Sequence, residues 1–119
     1  MFKSKHILIL EDDPDRVKKF KRKFIGNVIE IVDTPADAIF LLEHKEWDVL
    51  FLDHDLGGEV YVPSGPGTGY EVAEWLSKNP DRMPERVILH SYNDIGRANM
   101  KRVLPEAIMM AGVWLEEEK

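Results

Sequence analysis

Short apolar runs recur along the chain and alternate with segments in which apolar residues follow a helical spacing. The first and the third run stop abruptly at acidic residues. The runs are residues 7–10, 28–32, 48–53, 86–91 and 107–110, with residues 113–115 as a rival for the fifth. Runs of this kind are typical of strands in a parallel sheet that is buried on both faces.

The segments between these runs carry helix-start signals. Pro14 suits the first helical position because its missing N–H is not needed there. Thr34, Thr68 and Asn93 have side chains that commonly cap helix N-termini. The alternation of strands and helices predicts βαβ units with right-handed crossovers and a parallel sheet, which is an α/β fold.

Residues 56–68 interrupt this pattern with a long segment rich in glycine and proline. Loops of this length are uncommon in a compact domain and are often functional. Two interpretations stay open, a functional lid and a disordered surface excursion.

Length and composition narrow the class of protein. The chain has 119 residues, which suits one domain over residues 1–119 with one core. Its net charge of -6 argues against a general DNA binder or a binder of anionic membranes, and the absence of cysteine excludes disulfides. No apolar stretch approaches the ~20 residues of a membrane span, and the N-terminus lacks a signal-peptide core. A cytoplasmic protein is therefore expected.

Acidic residues follow two of the predicted strands. Glu11, Asp12 and Asp13 come directly after the first strand, and Asp53 ends the third. Because ligands of open α/β sheets bind at the carboxyl ends of the strands, these acids are expected to surround one crevice. Several carboxylates in one place are what a hard divalent cation needs.

These motifs resemble those of receiver domains, the flavodoxin-like modules of response regulators. Glu11 and Asp12 match the acidic pair of that family, Asp53 its phosphoryl-accepting aspartate, and Ser91 its Ser/Thr after strand four. The resemblance implies a doubly wound five-stranded parallel sheet in the order 2-1-3-4-5. It also implies Mg²⁺ or Mn²⁺ held by Glu11, Asp12 and Asp53.

The chain departs from the receiver pattern at its C-terminal end. Receivers carry a phosphoryl-contacting lysine after strand five, and here no lysine follows either candidate strand before Lys119. Too few residues remain for a full-length fifth helix, so the last helix is expected to be short or absent. Both departures argue against ordinary phosphorylation-driven signalling.

Two further runs resemble a more specific group, the cyclic-phosphate-processing receiver family. Residues 53–57 read DHDLG, and residues 90–100 read HSYNDIGRANM. The resemblance implies an activity on cyclic phosphates, with a link to RNA repair.

Two histidines in these runs suit acid–base chemistry on a phosphate, since an unperturbed imidazole titrates near pH ~6.5. If Asp53 and Ser91 share one side of the sheet, strand alternation allows His54 and His90 to share the other. Alternatively, the backbone turns at Asp53 and His54 swings over the rim. Asp55 either orients His54 or binds a ligand, or it only forms a turn.

The start of the fourth helix suits phosphate binding. Ser91 and Asn93 are candidate hydrogen-bond donors to phosphate oxygens. Gly96 either allows a close approach of the phosphate or serves helix packing. Arg97 is a candidate replacement for the missing lysine.

Three functions follow from these residues. The leading hypothesis is a metal-dependent phosphoesterase that acts on a cyclic phosphate in a small molecule or at an RNA end. The alternatives are a signalling receiver phosphorylated on Asp53 and a non-catalytic module that binds a phosphorylated ligand.

Overall fold

The computed structural model describes residues 4–58 and 62–111. In chain order, the elements are β1 (His6–Leu10), α1 (Pro14–Lys23), β2 (Val28–Val32), α2 (Pro35–His44), β3 (Val49–Leu52), α3 (Gly69–Lys78), a 3₁₀ turn (Pro80–Arg82), β4 (Arg86–Ser91), α4 (Asp94–Val103) and β5 (Ile108–Ala111).

The strands form one sheet in the order β2-β1-β3-β4-β5, and every neighbouring pair is parallel. This confirms the predicted flavodoxin-like architecture. Leu52 at the end of β3 lies level with Leu10 of β1 and with Leu89 of β4. The carboxyl ends of the three central strands therefore open at one edge of the sheet, where the acidic residues lie.

The helix starts follow local side-chain chemistry. Asp13, Thr34, Thr68 and Asn93 each adopt an extended backbone and accept a hydrogen bond from an N–H of the following turn. These caps satisfy donors that have no partner inside the helix. The predicted starts are confirmed at all four helices.

Strand alternation divides the core into two faces. On the larger face, leucines of the central strands pack against α2, α3 and α4. On the other face, Ile7, Ile9 and Phe51 pack against Phe20 of α1. A functional side chain that directly follows a strand therefore points to one of these two faces.

The fifth strand occupies 108–111, close to the first of its two predicted positions. The rival segment, residues 113–115, and the expected short last helix lie outside the described residues. The 3₁₀ turn Pro80–Arg82 was not predicted, because a single turn leaves no hydrophobic period in the sequence. Within residues 4–58 and 62–111, no helix has the length and hydropathy needed to cross a membrane.

Candidate functional site

Glu11 lies at the centre of the crevice and is almost fully buried. Its Oε1 accepts hydrogen bonds from Arg16 Nε at 2.9 Å and from His90 Nε2 at 2.8 Å. Its Oε2 accepts from Arg16 Nη2 and from the backbone N–H of Asp13, both at 3.0 Å. Both oxygens of this buried carboxylate are therefore satisfied by donors, two of which come from a cation.

Asp53 lies beside Glu11 and is equally buried. One of its oxygens accepts the backbone N–H of His54 at 2.8 Å, and the other lies 3.5 Å from Arg16 Nη2. One ligand atom from each of Glu11, Asp53 and His90 lies within 4.8 Å of the other two. We call these three side chains the acidic cluster.

The acidic cluster holds two carboxylates whose protonation differs. Burial raises the pKa of Asp53, and the neighbouring Glu11 charge raises it further, to about 8. Burial also works against ionisation of Glu11, but hydrogen bonds from His90 and Arg16 outweigh it and lower that pKa to about 2. Without an added cation, Glu11 is thus ionised at neutral pH while Asp53 is largely protonated.

Arg16 is the resident cation of this site. Its guanidinium pairs with Glu11, Asp13 and Asp53 and lies over the ring of Tyr92, 5.4 Å from the ring centre. Glu11 raises the pKa of Arg16 above its usual range despite the burial of the guanidinium. One positive charge facing three acids leaves room in the charge balance for a divalent cation.

The donor set of the acidic cluster suits such an ion once His90 Nε2 loses the hydrogen that it donates to Glu11. Carboxylate oxygens are the ligands that Mg²⁺ and Mn²⁺ prefer, and an imidazole nitrogen suits transition ions. The three donors come from the ends of β1, β3 and β4, which are rigid central strands.

A second group of polar side chains surrounds His54, which is fully buried. Its Nδ1 lies 2.8 Å from Asp55 Oδ1, and its Nε2 lies 2.8 Å from Ser64 Oγ. Asn93 Nδ2 donates to Asp55 Oδ1 at 3.0 Å. These contacts lie against α4, on the opposite face of the sheet from His90.

The loop that carries Ser64 is anchored where the structure describes it. Gly69 N–H donates to His54 O at 2.9 Å, which closes the loop at its base. The hydroxyl of Thr68 donates to Gly65 O at 2.7 Å, and the Gly58 N–H donates to Asp12 Oδ2 at 2.7 Å. In the described parts of the loop, these contacts hold Gly58 to the end of β1 and residues 65–69 to each other and to the end of β3.

The family model described as "Cyclic-phosphate processing Receiver domain" matches residues 7–106. The chain belongs to this family. It is accordingly a receiver domain of response-regulator type.

Solved receiver domains share the fold. A CheY-like receiver from Methanospirillum hungatei JF-1 has a TM-score of 0.69 and 20% identity, covering 92% of this chain and 82% of its own. TrrA from Thermotoga maritima, in complex with Mg²⁺ and beryllofluoride, has a TM-score of 0.68 and 20% identity, with coverages of 89% and 86%. The Mn²⁺-bound form of response regulator Rcp1 has a TM-score of 0.69 and 17% identity and covers 97% of both chains. A search of curated proteins finds no significant match.

Of the two arrangements left open for His54, the structure excludes the one in which it shares a side of the sheet with His90. Because Leu52 is level with Leu89, the next pair along the strands is Asp53 and His90, and level residues of neighbouring strands point to the same face. His90 packs on Phe20 and Phe51 and reaches Glu11, whereas His54 lies under α4. That arrangement assumed that β3 and β4 pair with a register shifted by one residue. Such a shift moves each side chain of a strand to the opposite face of the sheet.

The expected role of Asp12 as a metal ligand stays a prediction, and its charge is close enough to Asp53 to contribute to the raised pKa of that carboxyl. The Asp12 carboxylate accepts the N–H of Gly58 and is half-buried, and it is not part of the acidic cluster. The third member of the acidic cluster is His90. Asp13, the other acid after β1, is the N-cap of α1.

The predicted phosphate-binding residues of this receiver domain are engaged within the protein. Ser91 Oγ accepts the N–H of Asn93, and the Asn93 side chain caps α4 and donates to Asp55 and to Val62 O. Arg97 donates to Ser91 O and Asp94.

Gly96 serves packing, the second of its two interpretations. A Cβ there would lie 2.4 Å from Cγ of the His54 ring. The glycine therefore makes room for the imidazole.

Sequence reasoning missed Arg16 and Ser64. Arg16 could not be distinguished in the sequence from the other basic residues of α1. The available signal was its position one turn after Asp13, which places it near the strand ends. Ser64 lies in the irregular loop, where no periodic signal exists and only the tertiary fold brings residues 54 and 64 together.

Proposed function

We propose that this receiver domain hydrolyses a cyclic phosphate with the help of a divalent cation held by the acidic cluster. The observation that carries the proposal is the buried juxtaposition of Glu11, Asp53 and His90 in a chain of the cyclic-phosphate processing receiver family. The substrate class is a cyclic phosphodiester in a small molecule or at an RNA end.

The three side chains of the acidic cluster would hold Mg²⁺ or Mn²⁺, and the imidazole makes Mn²⁺ the better fit. When bound, the ion supplies charge neutralisation for the phosphate and a lowered pKa for water. The structures of TrrA with Mg²⁺ and Rcp1 with Mn²⁺ support this choice of ions.

The reaction opens the ring by adding water. A bond forms between the water oxygen and phosphorus, one ring P–O bond breaks, and the released oxygen takes up a proton. The products are a phosphomonoester and a neighbouring free hydroxyl. Because His90 serves as a ligand in this proposal and His54 lies on the other face, the proposal contains no two-histidine acid–base pair.

Arg16 takes the role that the resemblance gives to the missing lysine. It reaches Asp53 from α1 and lies at the mouth of the crevice against the exposed ring of Tyr92. Once a divalent ion neutralises the two acids, its guanidinium is free to donate to phosphate oxygens in a bidentate manner.

Metal-dependent hydrolysis of 2′,3′-cyclic nucleotides and of RNA ending in a cyclic phosphate tests the proposal. We expect turnover with Mn²⁺ or Mg²⁺ and a loss of at least about 100-fold in Glu11→Gln. Asp15→Asn, an exposed acid on α1, is the matched control and should keep wild-type turnover. Absence of turnover in the wild type with either ion would refute the proposal.

Replacing Arg16 by Gln should separate metal binding from phosphate binding. Removal of the competing cation is expected to tighten Mn²⁺ binding about tenfold, because like charges a few Å apart repel. Affinity for a phosphate product should fall in the same variant, because a donor to the phosphate is lost. Calorimetry measures both, and Arg22→Gln, on the same helix, is the control. Weaker Mn²⁺ binding in Arg16→Gln would contradict the assignment.

Phosphoryl acceptance by Asp53 is the second candidate function. The observation that favours it is the match to TrrA, whose structure holds Mg²⁺ with beryllofluoride. It predicts a beryllofluoride complex that is lost in Asp53→Asn. Beryllofluoride binding without hydrolysis of any cyclic phosphate would favour this function over the first.

A further inference from the structure

Asp55, His54 and Ser64 form a hydrogen-bonded line on the α4 side of the sheet. Asp55 Oδ1 lies 2.8 Å from His54 Nδ1, and His54 Nε2 lies 2.8 Å from Ser64 Oγ. The imidazole thus stands between a carboxylate and a hydroxyl, each on a different ring nitrogen. This is the order of groups that activates a serine in hydrolases on unrelated folds.

The partners determine where the protons lie. An ionised carboxylate only accepts, so His54 Nδ1 carries the hydrogen that faces Asp55. In the neutral ring, Nε2 is then an acceptor. Asn99 Nδ2 donates to Ser64 Oγ at 2.9 Å, so the serine proton points to His54 Nε2. The hydroxyl is therefore aligned to lose its proton to the imidazole.

All three groups are held in place. Asn93 donates to Asp55, and the backbone of α4 at Gly96 packs directly on the His54 ring. Next to Ser64, Gly65 exchanges two hydrogen bonds with the Thr68 side chain, which caps α3. The three groups are therefore preorganised by their neighbours.

Ser64 is also accessible. It lines a cavity of about 360 Å³ between residues 62–64 and the start of α4, together with Asn93 and Asn99. Ile95 and Gly96 of the first turn of α4 also line this cavity. The N-terminal end of a helix carries a partial positive charge, which favours an anionic phosphate over a neutral ester.

We propose that Ser64 is a nucleophile for phosphorus, activated by His54 and oriented through Asp55. It forms a reactive centre on the face of the sheet opposite the acidic cluster. The proposal does not depend on a metal, and it stands whether or not the acidic cluster hydrolyses cyclic phosphates.

The covalent step balances without a further reactant. Ser64 Oγ bonds to the phosphorus of a phosphodiester as one P–O bond breaks, and His54 passes the serine proton to the leaving oxygen. Water then attacks the phosphoserine diester, the Oγ–P bond breaks, and the proton returns to Ser64. His54 contacts the reacting oxygen, whereas Asp55 is a positioning residue.

A fluorophosphonate probe tests the proposal directly. In this reaction Ser64 Oγ displaces fluoride from phosphorus, and the serine proton is lost through His54. Mass spectrometry of the digested wild-type protein is expected to find one probe adduct, on the peptide that contains Ser64. Ser77, on α3, is the internal control, because its hydroxyl only donates to a helix carbonyl. No adduct at Ser64, or equal labelling of Ser64 and Ser77, would overturn the proposal.

Variants then distinguish a Ser64 that is activated by His54 from one that is merely exposed to the probe. Ser64→Ala should lose the adduct, and Asp55→Asn should slow labelling by at least about tenfold because the imidazole loses its orienting carboxylate. Asp15→Asn, at an exposed acid of α1 on the other face of the sheet, should label at the wild-type rate. Labelling of Asp55→Asn at the wild-type rate would contradict the role of Asp55. The mapping in the wild type does not depend on how any variant folds.

Discussion

Replacing Asp53 by Asn is expected to stabilise the metal-free protein at pH 8 and to abolish its response to metal. The buried carboxyl has a pKa of about 8 in the fold against an ordinary value of 3.8, so folding keeps a proton that the unfolded chain releases. The free energy of unfolding therefore falls as the pH rises from about 4 to 8. Asparagine carries no charge, so the variant does not lose stability in this way. We expect its free energy of unfolding at pH 8 to exceed that of the wild type by about 2 kcal/mol.

Urea unfolding in a chelator at pH 4 and pH 8 measures the effect. The gain from Asp53→Asn should be present at pH 8 and much smaller at pH 4, which is close to the ordinary pKa of 3.8, because the unfolded chain there still keeps part of its protons. With Mn²⁺ the order reverses, because the ion stabilises only the wild type. Asp33→Asn, at an exposed acid, should show neither effect. An equal gain at both pH values would contradict the assigned pKa, and Mn²⁺ stabilisation of Asp53→Asn would exclude Asp53 as a ligand.

Replacing Gly69 by Ala is expected to destabilise the fold by at least about 3 kcal/mol. A Cβ at this first residue of α3 would lie 1.7 Å from the Asp53 carbonyl oxygen and 3.2 Å from the His54 Cα. Backbone atoms cannot rotate away as a side chain does. Relief requires α3 to separate from the end of β3, which breaks the hydrogen bond from Gly69 N–H to His54 O.

Thermal and urea unfolding measure this change. Helix propensity alone predicts the opposite result, a stabilised protein, since alanine in a helix is favoured over glycine by about 1 kcal/mol. Glu74→Ala, at an exposed position of the same helix, is the matched control and should change stability by less than about 0.5 kcal/mol. A single substitution usually changes the free energy of unfolding by about 1 kcal/mol. If Gly69→Ala changes it by no more than that, the close approach of α3 to β3 is contradicted.

Most of the fold follows from local rules. The strands of this receiver domain are apolar runs, and its helices begin at Asp13, Thr34, Thr68 and Asn93, whose side chains satisfy exposed N–H groups. Each of these signals is contained within a few consecutive residues of the sequence. The strand order was implied by the family resemblance, and the structure confirms it.

The candidate site was predictable only in part. The positions of Glu11 and Asp53 followed from acids at strand ends, because parallel strands end at one edge of the sheet. The side on which His90 lies depended on a one-residue register between β3 and β4, which no local pattern specifies. His90 therefore joined the acids, and His54 went to the opposite face.

The sequence by itself determined the class of fold and the edge of the sheet that carries the chemistry, since periodicity and capping are local properties of the chain. Only the tertiary structure decided which groups meet there. Arg16 reaches Glu11 and Asp53 across the strand ends, and Ser64 reaches His54 across ten residues of loop. Such contacts depend on register, on loop closure and on the space that Gly96 leaves, and these are set by packing between elements distant in sequence.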